Sequence, residues 1–193
     1  MINYYGKTSS LLSKLFIHQF GLAVFGVLLY SAAAVSGNKA LTIGFSIFSA
    51  AFYLFLLYVL MWETGASDKI RIDGGRMKND VLKGLKVTLL ANIPNYVIAT
   101  VSAVAYLCID KNLLDASGNF TSPEWALNIY AIAQTVGFYI NSMYAGIADA
   151  LGMSTSPVWL FVLTVPTLTV CAVGYWLGTK ELFGLPSSGP SRE

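Results

Sequence analysis

The chain is short of charge. Asp, Glu, Lys and Arg make up 11% of its 193 residues, while hydrophobic residues make up 55%. A soluble domain keeps roughly 25% of its residues charged to hold its surface in water. Without them it would expose a large apolar surface and aggregate. The net charge of +2 is far from the concentrated basic face that nucleic-acid binding requires, so no nucleic-acid partner is expected. There is one histidine, and the two cysteines, Cys108 and Cys171, stand far apart without a Cys-x-x-Cys. That leaves no ligand set for zinc or an iron–sulfur cluster, and no cofactor is expected. A disulfide between the two remains open, but their apolar surroundings fit buried thiols better. The Gly-x-x-x-x-Gly-Lys-Ser/Thr spacing of a P-loop is absent, and no internal repeat occurs.

What is present is long apolar runs. A membrane span takes about 20 mostly apolar residues, and five segments approach that length: about 15–35, 41–62, 85–109, 125–147 and 158–177. The first, with Lys7 and Lys14 before it and Ala32-Ala33-Ala34 at its end, also has the form of a signal peptide; it is read here as a span. The second is dense in aromatics, from Phe45 to Tyr58. The third contains Pro94, which is expected to kink it. Trp62, Trp125, Trp159 and Trp176 fall at segment ends, the pattern of an aromatic belt at two interfaces. The expected fold is all-α, a polytopic transmembrane bundle of four or five spans. It forms a single domain over residues 1–185, followed by a flexible Pro/Ser/Gly-rich tail, 186–193.

Lysine and arginine set the orientation. Six lie between the second and third segments or at the entry to the third: Lys69, Arg71, Arg76, Lys78, Lys83 and Lys86. The neighbouring loops hold Lys39 and Lys111 alone. Positive residues stay cytoplasmic, so the N-terminus and loop 63–84 are expected inside. Five crossings would then put Lys180 outside. Four crossings, with the fourth segment not spanning, would put it inside. That segment carries Asn128, Gln134 and Asn141 but lacks the Lys/Arg-rich face of an interfacial helix, which tilts the balance slightly towards five.

Two constellations could carry function. In the basic loop, Ile70 and Ile72 alternate with Arg71 and Asp73, and Asp73-Gly74 signals a tight turn. A short surface hairpin is expected there. Arg71, Gly74, Gly75, Arg76 and Lys78 form a candidate site for anionic lipid headgroups, although a simple topology anchor also accounts for the charges. The second constellation is polar. Thr88, Asn92, Asn95 and Ser102 share one helical face of the third segment, and Tyr130, Gln134, Gly137 and Asn141 share one of the fourth. Amides avoid lipid, so these stripes should face each other. They would serve either as hydrogen-bonding glue worth about 0.6 kcal/mol per bond or as the wall of a solute pocket near the midplane.

The centres of the segments hold no Asp, Glu, Lys or Arg, and His18 and Asp149 lie near segment ends. No acid pair, Ser/His pair or metal cluster is set up for intramembrane catalysis, so an enzyme is not expected. Asn119-Phe120-Thr121 matches a glycosylation tripeptide that matters only in a eukaryotic secretory pathway.

The run Leu57-Tyr58, Met61-Trp62-Glu63, Gly65-Ala66-Ser67-Asp68, Asp73-Gly74-Gly75-Arg76, Lys83-Gly84-Leu85 and Ala91-Asn92-Ile93-Pro94-Asn95 resembles uncharacterised small multi-pass membrane proteins of Gram-positive bacteria. The resemblance covers the first three segments and implies a bacterial plasma membrane but no particular activity. In size the chain also resembles the substrate-binding subunits of energy-coupling-factor vitamin transporters, which implies a helical bundle docking a membrane partner through small residues. The comparable stripe here is Ala33-x-x-x-Gly37, although the five segments counted are fewer than that family's six helices. The expected function is a non-enzymatic accessory subunit or a component that binds a small molecule or lipid. The alternative is a small-solute transporter or its substrate-binding subunit. The expected partners are the bilayer, anionic headgroups, and a membrane protein or a second copy of the chain.

Overall fold

In a computed structural model of the chain, residues 2–78, 80–109, 123–153 and 156–180 are described, with 2–9 as backbone only. The glycosylation tripeptide, Lys111 and the tail from 186 lie outside these residues. The described elements are α1 (Ile2–Val35), α2 (Lys39–Asp73), α3 (Lys83–Ala91), α4 (Ile93–Leu107), α5 (Glu124–Ile140), a 3-10 turn (Ser142–Tyr144), α6 (Ala145–Ala150), α7 (Trp159–Val162) and α8 (Thr164–Thr179). No strand occurs among the described residues.

Three helices are long and apolar enough to cross a membrane: Ser10–Val35, Lys39–Asp73 and Trp159–Thr179. A fourth crossing arises if α3 and α4, bent by 53° at their junction, form one span. Large apolar side chains ring the outside of these helices, among them Ile17, Val24, Leu28, Phe48, Phe55, Val104 and Val165. Water would not tolerate such a surface, but lipid does. The first segment is built into the bundle. Leu15, Leu22 and Ala23 are buried, and a Cβ on Gly26 would lie 2.6 Å from the Met143 nitrogen.

The bend at Asn92 follows from Pro94. Proline has no N–H to offer the carbonyl four residues back, and its ring collides with it. At the junction the Asn92 backbone N–H and side-chain amide both donate to Thr88 O, at 3.0 and 2.9 Å, which closes the end of α3. The expected kink is therefore present, two residues before the proline.

Side-chain pairs give the direction of each element. Phe25 of α1 meets Phe48 and Phe52 of α2, consistent with the antiparallel pair that the short turn at Gly37 (φ +65°) allows. The start of α3 lies beside the ends of α2 and α8: a Cβ on Gly84 would sit 2.5 Å from Tyr175 Cβ. Helix α8 runs parallel to α2. A Cβ on Gly174 would lie 3.1 Å from the Tyr58 carbonyl oxygen, Gly178 packs against the Trp62 carbonyl, and Gly65 packs against the Tyr175 carbonyl. Small residues four apart let two helix backbones touch in this way.

The fourth apolar segment does not run from end to end. Helix α5 lies antiparallel to α4, with Tyr130 beside Tyr106 and Gln134 bonded to Ser102. It stops at Ile140, and its Asn141 cap turns its side-chain amide back to Gly137 O at 3.0 Å. Asparagine competes for backbone carbonyls and so favours helix ends. The chain then reverses. Ser142 Oγ donates to Ala23 O at 2.6 Å, Gly146 N donates to Ser46 Oγ at 2.8 Å, and Tyr30 Oη donates to Asp149 Oδ2 at 2.6 Å. From Ser142 to Asp149 the chain therefore climbs with α1, back to the end from which α5 descended. This in-and-out hairpin returns the chain to the end at which α2 begins, and so allows α8 to run parallel to α2.

Three smaller expectations change. Helix α2 continues past Trp62 to Asp73, so Ile70–Asp73 is helical and not part of a hairpin. Trp159 is only 2% exposed and donates to Gln134 at 2.9 Å, so it packs inside rather than in the belt. The cysteines are both free, and Cys108 is exposed.

The α2/α8 seam makes a direct prediction. A leucine at Gly178 would drive its side chain into the Trp62 backbone and cost about 3 kcal/mol. Gly44→Ala, where nothing lies within 4 Å, should leave stability unchanged or raise it slightly, by up to about 1 kcal/mol. Thermal unfolding of the two purified variants in detergent checks this. Equal melting would mean that the seam is not close-packed.

Candidate functional site

Two places concentrate polar chemistry, one at each end of the bundle. The first lies where α2, α3 and α8 meet. Asp68, on the last turns of α2, is completely buried, and Lys83, at the start of α3, is nearly so. Lys83 Nζ bonds directly to Asp68 Oδ2, and Tyr175 Oη of α8 donates to the same oxygen at 3.2 Å. Three helices are thus tied through one carboxylate oxygen. Asp68 stands six residues beyond Trp62, about 9 Å along the helix, near the end of the apolar stretch and away from its centre.

This cluster was not foreseen. Both residues fell in the loop expected to be cytoplasmic, where Lys83 counted only as an orientation signal. The missed clue is periodicity. Tyr53, Leu57, Met61, Gly65 and Asp68 fall at helical spacing and are all buried, so α2's inward face continues through Asp68.

The second place is a cleft of about 480 Å3 at the opposite end, lined by Tyr30, Ala34, Gly37, Lys39, Thr42, Ile43, Gly146, Asp149 and Ala150. The end of α1, the start of α2 and the returning arm of the hairpin enclose it. Its floor is tight because Gly146 has no side chain: a Cβ there would lie 2.5 Å from Ser46 Oγ and 2.6 Å from Thr42 O. Asp149 is anchored by Tyr30 Oη, while Lys39 is exposed at the first turn of α2, which Asn38 caps.

The expected polar stripes are placed as follows. Thr88, Asn92, Asn95 and Ser102 are buried, but the bend splits them. Around Thr88, α3 packs on α8, where Gly84 meets Cys171 and Tyr175, while Ser102 faces α5. Asn95 donates to Asn92 Oδ1 at 3.0 Å, and Thr88 Oγ1 donates to Gly84 O at 2.8 Å. Gln134 joins α4 to α7, donating to Ser102 Oγ at 3.0 Å and accepting from Trp159 Nε1. Asn141 is buried at the hairpin tip. Asn92, Asn95 and Asn141 therefore bond to atoms three or four residues away in their own segment, while Gln134 bridges helices, and none of them lines the cleft at the α1/α2 end.

The basic loop ends α2 with a Schellman-type cap. Gly75 takes φ +68° and donates to Ile72 O, Gly74 donates to Ile70 O, and Arg76 N reaches back to Arg71 O. The glycine amides expected to face an anion are engaged by the helix, so any anion contact rests on the exposed side chains of Arg71, Arg76 and Lys78. His18 Nδ1 donates to Lys14 O at 2.7 Å. Among the described residues, no three His, Cys, Asp or Glu side chains gather closely enough to hold a metal ion. No family model, curated protein or solved structure matches the chain.

Removing one partner of a buried ion pair leaves the other charge unpaired and costs about 3–5 kcal/mol, whereas replacing both with apolar groups is often neutral. Asp68→Asn should therefore melt well below the parent protein in detergent, and the double variant Asp68→Leu with Lys83→Met should melt close to it. A double variant no more stable than the single one would show that the pair does not lock the helices.

Proposed function

We propose that the chain is a non-enzymatic, four-span component of a bacterial plasma membrane that binds a small molecule or lipid in the cleft between α1, α2 and the hairpin. The observation that carries this reading is the cleft itself. It is large enough for a ligand, since small-molecule sites start near 300 Å3, and it carries one acid and one base on largely apolar walls. The four spans are α1, α2, the bent α3–α4 pair and α7–α8. With the N-terminus and the basic loop cytoplasmic, the cleft opens to the outside, and Arg71, Arg76 and Lys78 sit among the inner-leaflet headgroups.

A second reading, a small-solute transporter or its substrate-binding subunit, is favoured by Asp68. Ion-coupled transport characteristically uses an acidic residue within the bundle, and Asp68 supplies one that no apolar segment contains.

Native mass spectrometry of the gently solubilised protein tests the binding reading. The parent should retain a non-detergent molecule that Ala34→Trp, which fills the cleft, releases. Identical bound masses in the two proteins would refute a ligand site in the cleft. Uptake of the identified molecule into proteoliposomes under an imposed ion gradient would favour the transport reading, and binding without uptake would favour the first.

A further inference from the structure

We infer that the ligand of this cleft is a zwitterion carrying a primary ammonium and an anionic oxygen group, as in an ethanolamine phosphate headgroup; this rests on the cleft being a ligand site. The two charges lining the cleft are of opposite sign and are held on different elements, Lys39 on the first turn of α2 and Asp149 on α6. They are not presented alike. One oxygen of Asp149 accepts the Tyr30 hydroxyl at 2.6 Å. This fixes the carboxylate's direction while leaving its other oxygen able to accept an N–H. A primary ammonium can donate to that oxygen, but a quaternary ammonium cannot. Lys39 offers an ammonium of its own to a phosphate or carboxylate. The lining also includes the apolar Ala34 and Ile43, which suits a short carbon linker.

Its apolar neighbours favour a lipid source. Val35, 90% exposed, ends α1 beside the cleft, and Leu41 and Leu151 are exposed close by in sequence to Lys39 and Asp149. An apolar rim beside a two-charge cleft places chains in oil and a headgroup at the boundary. A free zwitterion of the same chemistry would satisfy the same two charges, so the sources are separated by experiment.

The test uses the full-length protein in detergent, with short-chain phosphatidylethanolamine, phosphatidylcholine and phosphatidylglycerol, and with free phosphoethanolamine. Binding is read by native mass spectrometry and by the rise in melting temperature. Phosphatidylethanolamine should bind at least about tenfold more tightly than either of the other lipids, the loss expected for one missing charge-assisted hydrogen bond. Asp149→Asn should erase that preference, Lys39→Gln should weaken binding of all three lipids severalfold while keeping the preference, and Lys86→Gln, at the far end of the bundle, should change neither. Should Asp149→Asn fail to fold, Tyr30→Phe, which keeps the carboxylate but releases its orientation, should still weaken binding severalfold. Competition by free phosphoethanolamine would identify a soluble zwitterion as sufficient, and its failure to compete would identify the lipid; both support the inference. Equal binding of the three lipids, a preference that survives Asp149→Asn, or binding unchanged by Lys39→Gln overturns it. If the parent instead carries another class of molecule that Ala34→Trp releases, the ligand class is wrong while the cleft remains a binding site.

Discussion

The bundle depends on a contact between two backbones. Lipid offers apolar helices no hydrophobic reason to associate, so they are held by close packing and by hydrogen bonds that lipid cannot supply. Gly65, Gly174 and Gly178 carry no side chain at the seam between α2 and α8, and a Cβ on Gly178 or Gly65 would collide with the carbonyl of Trp62 or Tyr175. Contact this close admits one register and one direction. With α8 parallel to α2, the connecting chain must return to the end at which α2 began. The in-and-out hairpin of α5, the 3-10 turn and α6 makes that return.

The same seam prepares the site of the buried ion pair. Its parallel register carries Tyr175 alongside the last turns of α2, where its hydroxyl can share the Asp68 oxygen with Lys83. Desolvating both charges is costly, and such a pair specifies an arrangement more than it stabilises one. Here it fixes α3, a nine-residue helix that the bend at Asn92 would otherwise leave free to swing. At the opposite end the hairpin's returning arm completes the cleft with Gly146 and Asp149. The packing that sets the topology therefore also creates both polar sites.

Much of this was legible in the residues. Apolar runs announced helices, Pro94 announced the bend, and the facing amide stripes announced contact between α4 and α5, realised by Gln134 and Ser102. What could not be read had physical causes. Segment 4 reads as one continuous apolar run, and its reversal is set by the tertiary contacts of Ser142 and Gly146. The Gly174-x-x-x-Gly178 spacing was visible, but which helix it faced was not. Asp68 and Lys83 read as loop charges because windows of hydropathy end where charge begins, although the helix and its buried face continue. The cleft joins residues more than one hundred positions apart, as in the Tyr30–Asp149 bond, and no local pattern marks such a pairing.

The direction of α8 is the claim on which topology, hairpin and cleft all turn, and sidedness measures it. In a Cys108→Ser background, single cysteines placed at Lys39, Lys78 and Lys180 would be exposed to a membrane-impermeant maleimide on intact cells. A parallel α8 predicts labelling at position 39 and protection at both 78 and 180 until the membrane is opened. Labelling at 180 from outside, with 78 still protected, would mean that α8 crosses in the opposite sense and would contradict the account.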